Sequence, residues 1–116
     1  MTKIVLVQSE TGLFRSCVAE GHAGFAKKGS DIVCSSISVL LRTTIQVLSN
    51  KCGTALKTFA TERGKLEFFV EDVSSCDGSP SLENVLLFAK EFLVAGFSSL
   101  SKEYPCNVEF TIKTEL

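Results

Sequence analysis

The sequence predicts a two-layer α+β sandwich, in which two long helices pack on one face of a sheet of about five strands, in the order ββαββαβ. Two long stretches repeat apolar residues at helical spacing. Shorter stretches are continuously apolar or alternate between apolar and polar residues, as strands do. A length of 116 residues, with 45% hydrophobic and 22% charged residues, is typical of one folded domain. We therefore treat residues 1–116 as a single domain.

The first part of the chain predicts two strands followed by a loop. Residues 4–7 are a continuous apolar run and indicate a buried strand, and a second strand follows a short turn and ends near His22. Residues 23–30 contain Gly24 and Gly29, which provide conformational freedom at both ends of the segment. This composition predicts a mobile loop.

The middle of the chain predicts a helix and a hairpin. The helix begins near Ser30 or Asp31 and ends between residues 50 and 53. Its apolar positions recur at helical spacing, at Val33, Ile37, Leu40, Leu41, Thr44 and Leu48. Residues 54–61 and 65–71 then predict two strands joined by a short turn, since apolar and charged residues alternate in the second of them.

The last third predicts a second helix and a final strand. The helix follows a break at residues 77–80, ends before residue 104, and has apolar residues at Leu82, Val85, Leu86, Ala89, Phe92, Leu93, Gly96 and Leu100. Val108, Phe110 and Ile112 alternate with polar residues and indicate the strand.

With both helices on one face, the other face of the sheet needs a cover. Phe59, Phe69 and the apolar face of either helix offer partner surfaces, which predicts a homodimer.

Composition and charge exclude several classes of function. Twelve Lys and Arg against 13 Asp and Glu give a net charge of −1, so direct nucleic-acid binding is not expected. The apolar run at residues 4–7 is far shorter than the roughly 20 residues of a membrane span, and no signal-peptide cleavage site follows it. The sequence therefore predicts a soluble, intracellular protein without a membrane partner.

The cysteines indicate free thiols. The chain has five, an odd number without a C-x-x-C pair, at Cys17, Cys34, Cys52, Cys76 and Cys106, and it has a single histidine, His22. A complete disulfide framework is excluded, and the spacing does not suit structural zinc. Free thiols fit a reducing compartment, so we expect a cytoplasmic protein, and no metal or organic cofactor is called for.

The segment from residue 21 to residue 38 concentrates the chemically capable residues. His22, Asp31 and Cys34 lie within 13 residues of one another. Cys34 falls in the first turn of the predicted helix, where the helix N-terminus and a nearby imidazolium would favour the thiolate. If the loop folds back, His22 could act as base and then as acid to the leaving amine, with Asp31 orienting it. The backbone N–H groups of Val33 and Cys34 could form an oxyanion hole.

Simpler interpretations compete with each assignment. Cys34 could be a core thiol, Asp31 a helix N-cap, and His22 a surface or structural residue. Ser38, one turn after Cys34, could contact a substrate or bond back to its own helix. Two other classes of protein also stay open. A non-catalytic ribosome-associated or RNA-binding protein would need a basic face, and a thiol redox protein would need a resolving cysteine.

At this segment the sequence resembles the ribosomal-processing cysteine protease family called Prp. The family signature is a Gly-His-Ala stretch, then Asp-x-Val-Cys, then a serine one turn later. Here these residues are Gly21, His22, Ala23, Asp31, Val33, Cys34 and Ser38. The length and the ββαββαβ order of the whole chain also suit the family. Two departures are visible: Phe25 stands where tyrosine is expected, and two serines follow Cys34 where alanine or glycine is commoner.

The resemblance implies a cytoplasmic bacterial homodimer with Cys34 as nucleophile, His22 as base and Asp31 assisting. It places Gly21, Phe25 and Ser38 near the substrate. The implied substrate is a large-subunit ribosomal protein of the L-twenty-seven family, made with a short N-terminal extension that is removed after an aromatic residue during ribosome assembly. We further expect Gly24 and Gly29 to act as hinges, so that the loop opens for a peptide and closes over it.

Overall fold

A computed structural model of the chain describes residues 1–21, 24, 31–62, 64–71 and 80–115. The elements follow the order ββαββαβ, which confirms the predicted α+β fold. They are β1 (Thr2–Gln8), β2 (Phe14–Gly21), α1 (Ile32–Cys52), β3 (Leu56–Glu62), β4 (Lys65–Val70), α2 (Pro80–Glu103) and β5 (Val108–Thr114), with one turn of 3-10 helix at Gly53–Ala55 between α1 and β3.

The five strands form one mixed sheet in the order β3-β4-β2-β1-β5. Strand β1 pairs antiparallel with β2 and parallel with β5, in a register that places Thr2 opposite both Gly21 and Val108. Strands β2, β4 and β3 are joined by antiparallel pairing. The end of β2 that carries Gly21 therefore lies beside the start of β1, near the start of β4.

Both helices cover the same face of this sheet. Alternate residues of β1, β2 and β4 point into a single core, and residues from both helices fill it from the other side. The largest fully buried side chains include Phe14, Phe68, Phe97, Ile4, Leu6, Leu48, Leu86 and Leu93. Each contributes roughly 1.5–3 kcal/mol through removal of apolar surface from water. The two-layer arrangement is thus held by one shared core.

Two element boundaries differ from the predicted ones for local reasons. Strand β3 begins at Leu56, because the three residues after α1 form a 3-10 turn instead of extending the strand to residue 54. Helix α2 begins at Pro80, earlier than its first apolar residue, Leu82. Proline suits the first helical position because the N–H it lacks would have no partner within the helix.

The sheet face away from the helices has a row of charges beside half-buried apolar residues such as Val5 and Val18. Lys3 lies opposite Glu20 and Glu109, and Glu20 also lies opposite Lys65, so neighbouring strands present opposite charges. The predicted aromatic surface is present here as a stacked pair, with the rings of Phe59 and Phe69 5.7 Å apart. The charge row makes this face less dependent on a cover than the sequence suggested.

The outer surface of the helix pair is more apolar. A groove of about 290 Å³ between α1 and α2 is lined by Thr43, Thr44, Val47, Val85, Phe88, Ala89 and Phe92. Residues 32–55 and 82–103 are also long and apolar enough for a membrane span, with mean hydropathies of 1.5 and 1.2. In this fold one side of each helix is buried in the core, through residues such as Leu48 and Leu93, and the other side is exposed. The apolar remainder therefore forms a surface across both helices.

Candidate active site

Cys34 lies in the first turn of α1 and opens into a cleft of about 450 Å³. The walls come from α1, from the end of β2 and from the β3–β4 hairpin, and include Gly21, Ser38, Ala60, Gly64 and Leu66. Cys34 itself is half-buried and packs against the edge of the core. A thiol at the start of a helix is thus presented to a cavity of the size that binds small ligands or a few peptide residues.

Asp31 is the N-cap of α1, as one of the two interpretations of the sequence predicted. Its carboxylate Oδ1 accepts hydrogen bonds from the backbone N–H groups of Val33 and Cys34, both at 3.0 Å. The side chain is buried, with 7% of its surface exposed. It therefore fixes the first turn of α1, the turn that carries Cys34.

This capping geometry corrects the predicted oxyanion hole. The N–H groups of Val33 and Cys34 were expected to face a tetrahedral intermediate, but both donate to Asp31 in the structure. Each backbone N–H has a single hydrogen to donate, so these two groups are committed to the helix cap. An oxyanion formed at Cys34 must therefore be stabilised by other donors.

Gly21 ends β2 at the cleft in a conformation that requires glycine. Its φ is +102°, and a Cβ at this position would collide with the carbonyl oxygen of Met1. Its N–H donates to the carbonyl of Gly64 at 2.8 Å, which ties β2 to the turn of the β3–β4 hairpin. Gly21 is thereby held in the wall of the cleft, directly before His22 in sequence.

Several predicted residues lie outside the described part of the chain. These are His22, Phe25 and Gly29, so their predicted roles as base, substrate contact and hinge stay predictions. Gly24 is described and has a φ of +68°, a value that favours glycine. Of the predicted site residues, the structure brings Gly21, Cys34 and Ser38 to one cleft, with Asp31 capping the helix beside them.

The sequence reasoning missed most of the cleft wall. On α1, Ile37, Leu41, Arg42 and Ile45 continue the line that starts at Cys34 and Ser38. These positions were detectable, because residues at intervals of three, four, seven, eight and eleven from Cys34 lie on one helix face. On the hairpin, Ala60, Leu66 and Lys65 had no such signal. Arg42 and Lys65 make the charged part of the described lining cationic, which disfavours a basic group in the cleft.

The other described cysteines have different environments. Cys17 and Cys52 are buried and Cys106 is exposed, whereas Cys34 is half-buried. Burial raises the pKa of the Cys17 thiol to about 12, because the charged thiolate is disfavoured away from water. Cys17 therefore stays protonated at neutral pH and is a core residue. Cys76 lies outside the described residues.

The fold and the site together define a class: a two-layer α+β protein with a cysteine at the start of its first helix, open to a peptide-sized cleft. The family described as cysteine protease Prp matches the chain over residues 1–109. The chain belongs to this family, and it is a cysteine protease. Among curated proteins, none matches it significantly.

Solved structures share this fold over nearly the whole chain. The crystal structure of SMU.848 from Streptococcus mutans is 26% identical, with a TM-score of 0.72, and the match covers 99% of this chain and 96% of that one. A ribosomal processing protease Prp from S. aureus, in complex with a covalently linked product peptide, is 19% identical with a TM-score of 0.73; 97% of this chain and 100% of that one are covered. The same S. aureus protease with a substrate peptide has a TM-score of 0.72 at 18% identity, over the same shares of the two chains.

Proposed function

We propose that this protease removes a short N-terminal extension from a large-subunit ribosomal protein of the L-twenty-seven family, in the cytoplasm, during ribosome assembly. The observation that carries the proposal is the half-buried thiol of Cys34 at a capped helix start, facing a cleft lined by Gly21 and Ser38. The similar S. aureus protein is described as an essential ribosomal processing protease and was crystallised with peptides. A protein substrate with an exposed, extended end suits such an open cleft.

The proposed mechanism is acyl transfer through Cys34. The Cys34 thiolate attacks the scissile carbonyl, and the resulting thioester retains the N-terminal part of the substrate as the new amine leaves. His22 takes the thiol proton and delivers it to that amine, then removes a proton from the water that hydrolyses the thioester. The cap formed by Asp31 holds the thiol in place on α1 throughout. Ser38 lies one turn further along the same wall, beside the substrate.

The proposed gate is the segment between β2 and α1. It contains Gly24 and Gly29 and joins Gly21, which is fixed in the cleft wall, to Asp31, which is fixed as the helix cap. Both attachment points are thus held by the fold. Rotation about the two glycines would let residues 23–30 open for a peptide and close over it, so that His22 and Cys34 are assembled only when a substrate is present.

The substrate assignment is tested by incubating the protein with the extended ribosomal precursor and measuring the masses of the products. We expect a single cut after an aromatic residue, which releases the extension and leaves the mature N-terminus. A precursor in which this aromatic residue is replaced by glycine is the matched control and should stay intact. An uncut precursor, in the presence of a Cys34 that is chemically reactive, would contradict the substrate and leave the protease class in place.

We also propose that two copies associate through the groove between α1 and α2. Phe88 and Phe92 are 65% and 46% exposed there, and Val39 and Val47 on α1 are 62% and 47% exposed. These four side chains present on the order of 400 Å² of apolar surface, comparable to the ~300–600 Å² patches that mark interaction sites on monomers. In a two-fold dimer each copy contributes one such patch, about half of the ~800 Å² per partner of a standard interface, and its polar surroundings would contribute the remainder. The partner that fits is a second copy of the chain.

The dimer is tested by sedimentation of the wild type and of two matched variants. The wild type should sediment at twice the 12.6 kDa mass of one chain. Phe92→Glu should shift it to the monomer, because a carboxylate would be buried without a partner. Phe59→Glu is the control, since Phe59 is also 46% exposed but lies on the opposite sheet face. A dimer that survives Phe92→Glu and fails with Phe59→Glu would place the interface on the sheet.

A further inference from the structure

Strand β3 forms one edge of the sheet and borders the cleft that contains Cys34. Within the described residues, its one neighbouring strand is β4, so its other edge has no strand beside it. Ala60 of β3 lines the same cleft as Cys34. An edge strand has unpaired N–H and C=O groups that can bind an additional strand, and here one residue of that strand, Ala60, lines the cleft of the reactive thiol.

The helix layer leaves the end of β3 uncovered. Thr58 and Ala60 are exposed, whereas Phe68, the residue opposite Thr58 on β4, is fully buried. Thr58 lies on the same sheet face as Phe68, because residues directly opposite each other share a face. The helix-facing side of β3 is therefore open at Thr58 and Ala60, and Ala60 lies where β3 meets the cleft that holds Cys34.

The hydrogen-bond pattern shows which groups of β3 face outward. The N–H of Glu71 donates to the carbonyl of Ala55 at 2.7 Å, just before β3 begins. Hydrogen-bonded and non-hydrogen-bonded pairs alternate along an antiparallel ladder. Two residues on, Lys57 therefore bonds to Phe69 of β4, and the backbone N–H and C=O of Thr58 point to the open edge.

A bulge interrupts β3 beside the cleft. The register shifts between Phe59 and Glu62, where β3 advances three residues while β4 advances two. The extra residue falls at position 60 or 61, and Ala60 lines the cleft. Bulges of this kind bend a strand and end its regular pairing, and they are common beside active sites. Regular edge pairing is therefore available up to Thr58 and stops where β3 enters the cleft wall at Ala60.

The length of the cleft along α1 matches a short peptide. Cys34 and Ile45 both line the cleft and are eleven residues apart on α1, which corresponds to roughly 16 Å along the helix axis. An extended chain covers that distance in about five residues, at roughly 3.3 Å each. Ile37, Leu41 and Ile45 line one side, with Leu66 on the other, so the side chains that face this layer would be apolar.

We infer that the substrate peptide binds as an added strand on the free edge of β3, hydrogen-bonded to the backbone of Thr58. Beyond the bulge the peptide continues into the cleft along α1, which accommodates about five residues, with apolar side chains at alternate positions and the scissile bond at Cys34. This inference deepens the proposed function and rests on it, since it describes how a peptide reaches the same cleft. It makes the backbone of β3, which no sequence motif marks, the positioning element for the substrate.

The inference is tested with peptides that span the cleavage site, bound to a Cys34→Ala variant and followed by fluorescence anisotropy. Peptides N-methylated at one backbone amide each should lose affinity by about tenfold at alternate positions, and much less at the positions between, because a strand bonds to its neighbour with every second amide. Uniform losses, or losses at consecutive positions, would overturn the added strand. This measurement needs no change in β3.

A second measurement changes β3 itself. Thr58→Pro removes the outward N–H and should weaken peptide binding by about tenfold, whereas Thr58→Ala removes the side chain and should change it little. Labelling of Cys34 by iodoacetamide should be equal in Thr58→Pro and in the wild type, which shows that the thiol is intact. Equal peptide affinity in the two variants would contradict the inference. A wild type that neither binds nor cuts any peptide would overturn the proposed substrate and this inference together.

Discussion

Replacing Cys34 by serine should lower kcat/KM for the extended precursor by about 10⁴-fold or more, because the serine hydroxyl is a far poorer nucleophile than the thiolate. The variant should fold normally, since Cys34 is only half-buried and its side chain changes by one atom. The measurement is the initial rate of extension release, with the denaturation curve as the check on folding. A variant that retains a tenth of the activity would exclude Cys34 as the nucleophile.

Thiol labelling gives an independent view of the same residue and needs no substrate. At pH 6 an ordinary thiol is almost entirely protonated, so iodoacetamide should label an activated Cys34 at least about tenfold faster than Cys106. Cys106 is the matched control because it is the more exposed of the two, and exposure alone would give the opposite order. His22→Ala should remove the difference. Cys17 should stay unlabelled in the folded protein, because burial raises its pKa to about 12.

Replacing Asp31 should separate helix capping from assistance to the histidine. Asp31→Ala removes the acceptor of two backbone N–H groups and should lower the free energy of unfolding by about 1–2 kcal/mol. Asp31→Asn keeps an oxygen at the cap and should restore most of that stability. It loses the negative charge, so its kcat should still fall by at least about tenfold if the carboxylate stabilises the imidazolium. Denaturant unfolding and precursor cleavage measure the two effects.

Comparing Asp31→Ala with Asp31→Asn distinguishes three cases for the role of Asp31. Restored stability with reduced kcat supports both roles. Restored stability with full activity means that Asp31 acts as a cap alone and that the histidine needs no carboxylate from this position. A loss of stability in Asp31→Asn equal to that in Asp31→Ala would contradict the hydrogen-bonded cap itself.

The order of elements could be predicted because each element carries its own periodicity. The stripe from Val33 to Leu48 marks α1, and Asp31 before it marks the cap, which the structure confirms. The predicted oxyanion hole was wrong, and the reason was already visible in the sequence, because Asp31 was recognised as a possible helix cap. An aspartate that caps a helix accepts from the same N–H groups that the oxyanion was expected to use, so the two interpretations exclude each other.

The cleft could be predicted only in part, because strand neighbours are a long-range property. Periodicity shows which face of a strand is buried, but it does not show that β4 lies beside β2 and brings Gly64 to Gly21. Ala60 and Leu66 of the hairpin are more than twenty positions from Cys34, and no motif links them to it. The α1 side of the cleft follows from helical spacing, whereas its other side follows from sheet order.

The pairing of β1 with β2 has a practical consequence for work with this protein. Thr2 lines the cleft, and the carbonyl of Met1 is packed against Gly21, so any polypeptide fused ahead of Met1 would emerge at the cleft mouth. Strand β5 instead ends opposite Gln8, six residues along β1 and roughly 20 Å away. Affinity tags and reporter domains are therefore best attached at the carboxyl terminus, where they leave the entrance for substrate clear.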